Sequence, residues 1–162
     1  MNIVLLEPEI PANTGNIGRT CVVTGSSLHL IRPLGFEISE KMLKRAGLDY
    51  WHKLDVSIYD SLGHFYEVNK DPRIWYVTTK AEKCYTQADY RTDDFLMFGK
   101  ETAGIPEEIL AANRSRCVRI PMIKEERSLN LSNAAAIVLY EALRQNGFGG
   151  LETKGTLHRL MW

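Results

Sequence analysis

Short continuous apolar runs alternate along the chain with stretches of helical period. Asn2–Glu7 (NIVLLE), Leu28–Arg32 (LHLIR), Asp55–Ile58 (DVSI), Arg73–Thr78 (RIWYVT), Phe95–Gly99 (FLMFG) and Cys117–Ile120 (CVRI) predict six strands. Between them, Ile17–Thr24 follows the cap-type residues Asn13 and Thr14 and ends at Gly25, a C′ glycine. Glu40–Ala46 ends at Gly47, and Ser61–Val68 starts at a cap on Asp60 or Ser61. Pro106–Ala112 opens with proline and two glutamates, which suit a helix N-terminus. Leu131–Gln145, the longest, is apolar around most of its circumference, predicts a buried helix, and ends at Gly147. Strands alternating with helices predict an α/β fold with a mostly parallel sheet flanked by helices. In such sheets ligands bind beyond the carboxyl ends of the strands, so the loops there are where chemistry is expected.

The length of 162 residues predicts a single domain, 1–162, with an irregular tail after about Gly147. With 44% hydrophobic and 25% charged residues, disordered and fibrous classes are excluded. No apolar run approaches the roughly 20 residues of a membrane helix, and the start has no basic n-region, so a cytoplasmic protein is expected. Cys21, Cys84 and Cys117 form no CxxC pair, and His29, His52, His64 and His158 have no HExxH spacing, which argues against a bound metal. The formal net charge is zero, so any anionic partner must meet a local patch.

Three of the loops after strands are unusual. In Glu7–Arg19 (EPEIPANTGNIGR), Gly15 and Gly18 flank Asn16 at the mouth of a helix, a setting suited to an anion. This is not a dinucleotide fingerprint, because Asn13 stands where GxGxxG needs its first glycine. In Phe98–Gly104 (FGKETAG), Gly99 permits close backbone approach and Glu101 puts a carboxylate just past a strand. In Ile120–Ala134, Ser128, Asn130 and Ser132 are more caps than one helix needs, a sign of a ligand. Asn133 and Tyr140 share a helix face, about 10.5 Å apart along the axis.

The ordered triplet NTGNIGR, FGKETAG and IPM…SLNLSNA resembles the three motifs of the SPOUT-type RNA 2′-O-ribose methyltransferases, over Asn2 to about Gly147. EPEIPANTGN and KRAGLDYW, without an added RNA-binding domain, resemble the minimal members that act on the tRNA wobble nucleotide. The resemblance implies a deep C-terminal trefoil knot, a homodimer, and 2′-O-methylation of cytidine or modified uridine at position 34 of tRNA, leucine tRNAs in particular. It implies S-adenosylmethionine as cofactor, S-adenosylhomocysteine as product and no metal. Cofactor contacts fall on Val77, Thr78, Gly99, Gly104, Ile120, Met122, Ser128 and Leu129. Catalytic positions fall on Asn16, Arg19, Glu101, Asn130 and Tyr140. Lys100 stands where many relatives carry proline.

Transfer to a ribose 2′-oxygen needs in-line approach and loss of the hydroxyl proton. Arg19 stays protonated at any ordinary pH, so orienting phosphate and stabilising the forming alkoxide suit it better than acting as base. Glu101 and Tyr140 are the candidate proton acceptors. Arg19 is expected in the first turn of its helix, against the dipole, a placement that an anionic partner would explain. Lys41, Lys44 and Arg45 beside Tyr50, Trp51 and His52, and Arg114 and Arg127 with Arg116, Arg119 and Lys124, are the candidate RNA contacts. The competing readings are a 2′-O-methyltransferase of another tRNA or rRNA site, and a non-catalytic RNA-binding α/β module.

Overall fold

The computed structural model describes residues 1–37 and 50–161. The expected Glu40–Ala46 helix and the candidate contacts Lys41, Lys44 and Arg45 lie outside the described residues. Among those described, β1 (Asn2–Leu6), β2 (Ser27–Ile31), β3 (Val56–Tyr59), β4 (Ile74–Val77), β5 (Phe95–Phe98) and β6 (Cys117–Val118) form one sheet. Its order is β3-β2-β1-β5-β4-β6, and every pairing is parallel. Among the described residues four α-helices accompany it: α1 (Pro11–Thr24), α2 (Leu62–Val68), α3 (Glu107–Ala112) and α4 (Leu131–Gln145).

Alternation along each strand sends side chains to two separate cores. Ile3 and Leu5 of β1, with Leu28 and Leu30 beside them in register, face Ile17 and Cys21 of α1 and Val138 and Leu139 of α4. Val4 and Leu6 face the other way, onto Phe65 of α2 and Leu110 of α3. Both faces are covered, so the strands read as continuous apolar runs. Between β1 and β5 the strand order reverses, which places a crevice at their carboxyl ends.

Two expectations are corrected. The first helix starts six residues early, at Pro11, so Asn13, Thr14, Gly15, Asn16 and Gly18 lie inside it and Ile10 is the N-cap. Two glycines at roughly 1 kcal/mol each speak against a helix, but packing overrides them. A Cβ on Gly18 would come within 3.2 Å of Leu54 and 3.3 Å of Trp51, and the Tyr50 hydroxyl donates to the Gly15 carbonyl. Arg19 is therefore in mid-helix, and the dipole argument for its placement does not hold. The second correction concerns α4, which buries Ala135, Val138, Leu139, Ala142 and Leu143 but exposes Ile137 and Tyr140. Its cap is Asn130, whose side chain accepts from the Ser132 and Asn133 amides. Phe148 and Leu151 pack on the core, and the chain beyond them is exposed and irregular. No helix of the described residues is long and apolar enough to cross a membrane.

His29 on β2 is the buried histidine of the second core. The Tyr59 hydroxyl takes an Asn69 amide hydrogen at 3.1 Å and pairs with His29 Nδ1 at 2.9 Å, while Nε2 faces Asn2 Oδ1 at 3.3 Å. Burial pushes the imidazole down to about 4 from its ordinary 6.5. The unfolded chain thus binds the proton more readily, and stability present above pH 6.5 is lost as pH falls toward 4. The linked loss is about 3 kcal/mol. Urea unfolding at pH 7 and pH 4.5 should show it, and the loss should shrink in His29→Gln. A variant with the wild-type pH dependence would assign the acid lability elsewhere.

Candidate active site

A cleft of about 680 Å³ opens beyond the carboxyl ends of β4, β5 and β6. Val77 and Thr78 line it from β4, Gly99 and Gly104 from the loop after β5, Ile120 and Met122 from the segment after β6, and Ser128 and Leu129 from the approach to α4. All eight expected cofactor positions therefore share one wall system. Glu101, Asn130 and Arg127 line the same cleft.

The β5 loop turns back on itself at once. The Gly104 amide donates to the Lys100 carbonyl at 2.8 Å, with Gly104 in the left-handed region at φ +70. This return passes so close to Gly99 that a Cβ there would sit 2.0 Å from the Gly104 carbonyl carbon. A Cβ on Gly104, by contrast, meets nothing within 4 Å. Opposite charge ties the rim together: Lys100 Nζ lies 2.8 Å from Glu7, which holds the ammonium above its usual range. Lys80 lies 2.7 Å from Glu107 and holds that carboxyl below its own.

One polar chain joins the three motif loops. Glu101 accepts from the Glu9 amide at 2.8 Å, the Ile10 amide at 3.3 Å and Asn13 Nδ2 at 2.9 Å, and so satisfies donors at the start of α1. Asn13 Oδ1 in turn accepts from Asn130 Nδ2 at 3.0 Å, and Asn130 Oδ1 caps α4. Asn13 is 5% exposed and uses both ends of its amide. The local sequence marks Asn13 only as a cap type and points to Asn16 instead. The signal that separates them is the helix start at Pro11, which turns Asn13 inward and leaves Asn16 exposed.

The other expected catalytic positions lie apart from this cleft. Asn16 and Arg19 on α1 and Tyr140 on α4 are exposed and do not line it. The Arg19 guanidinium sits over the Tyr50 ring at 4.9 Å. Arg114 is also separate: it pairs with Glu82 at 2.8 Å on a second groove, of about 750 Å³, along the β6 side of the sheet.

The sequence matches the SpoU rRNA Methylase family over residues 1–140. The chain belongs to the SpoU methylase family. Within the family, a tRNA (cytidine(34)-2′-O)-methyltransferase of Escherichia coli K12 is 47% identical over 93% of this chain and 96% of its own. A second, from Saccharophagus degradans, is 49% identical over 92% of this chain and 97% of its own. A solved structure from work on 2-OH methylation of C/U34 on tRNA superposes with a TM-score of 0.83 and 45% identity, over 90% of this chain and 95% of that one. An AdoMet-bound rRNA methyltransferase from Sinorhizobium meliloti shares the fold at TM-score 0.76 and 26% identity, over 88% of this chain and 55% of that one. The protein is thus an RNA methyltransferase of this family.

Proposed function

We propose that the protein transfers a methyl group from S-adenosylmethionine to the ribose 2′-hydroxyl of nucleotide 34 in tRNA. The observation that carries the reading is the convergence of all three motif loops on one cleft. Its volume suits a nucleoside-sized ligand, and Gly104 lines it with open space on its Cβ side. The cofactor supplies an electrophilic methyl. The loops of Val77–Thr78, Gly99–Gly104 and Ile120–Met122 hold it, and Arg127 at the rim presents a cation toward RNA phosphate. Glu101 already accepts three N–H donors, so its work is to fix the loop and α1 rather than to take a proton.

The proposed fold and assembly go further. The C-terminal segment is threaded as a trefoil knot. In support, Arg119 is bonded to the 83–85 backbone in both directions at 2.9 Å. Chain 131–145 then returns across the sheet to α1, and its end is pinned to Tyr90 by Gln145 at 3.0 Å and Asn146 at 3.1 Å. Two chains form a dimer through α1 and α4, whose exposed faces carry the apolar side chains of Val23, Ile137 and Tyr140. Sedimentation should give a dimer, and a stable, fully active monomer would remove this assembly.

The test is transfer of labelled methyl to total tRNA, followed by mapping of the modified nucleotide. Label at the 2′-oxygen of nucleotide 34, in leucine isoacceptors first, is the expected result. Label elsewhere in tRNA or in rRNA would move the substrate, and cofactor binding without transfer to any RNA would make this a binding module.

A further inference from the structure

Glu9 does not line the cleft, yet it holds the loop that does. Its Oε2 accepts from the Thr102 amide at 3.0 Å and its Oε1 from the Thr102 hydroxyl at 2.9 Å. In the opposite direction, the Glu9 and Ile10 amides donate to the Glu101 carboxylate at 2.8 and 3.3 Å. Two carboxylates thus cross between the same two loops, each accepting from donors on the opposite loop. Carboxylate-accepted hydrogen bonds are roughly twice as strong as neutral ones, and two antiparallel pairs fix orientation as well as distance. The Glu9 side is itself braced: the Gly35 amide donates to the Pro8 carbonyl at 2.9 Å, and Gly35 lies so near that a Cβ would be 2.6 Å from the Glu9 carbonyl. The rigid β1–α1 corner is therefore a splint, and the Lys100–Gly104 turn is what it holds.

We propose that Glu9 is a positioning residue for the cofactor, setting the curvature of the Lys100–Gly104 loop through Thr102; the proposal rests on the methyltransferase reading of the cleft. The requirement is geometric rather than electrostatic. Glutamine can reproduce both bonds, because its oxygen accepts from the Thr102 amide and its NH₂ donates to the Thr102 hydroxyl, which also accepts.

The experiment is calorimetric titration of S-adenosylmethionine into the full-length protein and its Glu9→Ala, Glu9→Gln, Thr102→Val and Glu9→Ala/Thr102→Val variants, with methylation kinetics beside it. Glu9→Ala should weaken cofactor binding and raise its KM by about tenfold, with kcat at saturating cofactor within about threefold. Glu9→Gln should stay within about threefold of wild type throughout. The double variant should be no weaker than Glu9→Ala, which already removes the hydroxyl bond that Thr102→Val removes. A Glu9→Ala protein with unchanged cofactor KM, or with only a fall in kcat as a smaller folded fraction would give, overturns the proposal. So does a Glu9→Gln protein as impaired as Glu9→Ala, or full additivity in the double variant. Wild-type protein that binds no cofactor would overturn the methyltransferase reading itself, and the proposal with it.

Discussion

Arg19→Ala should lose methyl transfer by on the order of 10²–10³ in single-turnover rate while keeping its fold and its cofactor. Arg19 is exposed in mid-helix, with its guanidinium 4.9 Å over the Tyr50 ring. An exposed cation–π contact of this kind contributes about 0.5–1 kcal/mol to stability. The side chain does not line the cofactor cleft, so cofactor affinity should be unchanged. Arg19 also carries a permanent cation on the face we assign to RNA, suited to phosphate or to a forming alkoxide. Single-turnover methylation at saturating cofactor measures it. A near wild-type rate would make Arg19 an ordinary surface residue.

Gly99 is the second position with a large expected effect, for a reason only the structure supplies. Gly99 is one of the expected cofactor contacts in the cleft, where a valine side chain would take up ligand space. The geometry places the conflict earlier. A Cβ at this position would lie 2.0 Å from the Gly104 carbonyl carbon, 2.3 Å from its oxygen and 2.3 Å from the Ile105 amide nitrogen. All three are backbone atoms and cannot swing aside, so the loop must open even for alanine. Gly99→Ala as well as Gly99→Val should therefore lose cofactor affinity by well over tenfold, about 1.4 kcal/mol, and lower the melting temperature. Gly104→Ala differs: its Cβ has open space, and the cost is the left-handed φ of +70, of order 1 kcal/mol. Calorimetric titration with a thermal scan checks the pair. An alanine at 99 that leaves both quantities unchanged would show the loop to be plastic.

The strands were legible because each is buried on both sides, so Ile3 and Leu5 need apolar partners as much as Val4 and Leu6 do. The long helix was legible from its spacing and from the caps before it. The start of α1 was not. Gly15 and Gly18 weigh against a helix locally, and the contacts that favour it, from Tyr50, Trp51 and Leu54, come from residues more than thirty positions away. The same holds for Asp94, fully buried and bonded to both Arg73 at 2.9 Å and the Trp75 indole at 2.8 Å. No local pattern announces a carboxylate that is neutralised by a strand beside it.

By itself the chain's order of residues determined the α/β class, the run of strands and helices, and the family, because periodicity and three short motifs are local properties. The strand order β3-β2-β1-β5-β4-β6, the gathering of the motif loops into one cleft, and the separation of Arg19 and Tyr140 from it were decided by tertiary structure alone. The physical reason is that crossover connections and long-range hydrogen bonds, such as Glu101 to Glu9 and Asn13 to Asn130, depend on which elements meet, and no window along the chain contains both partners.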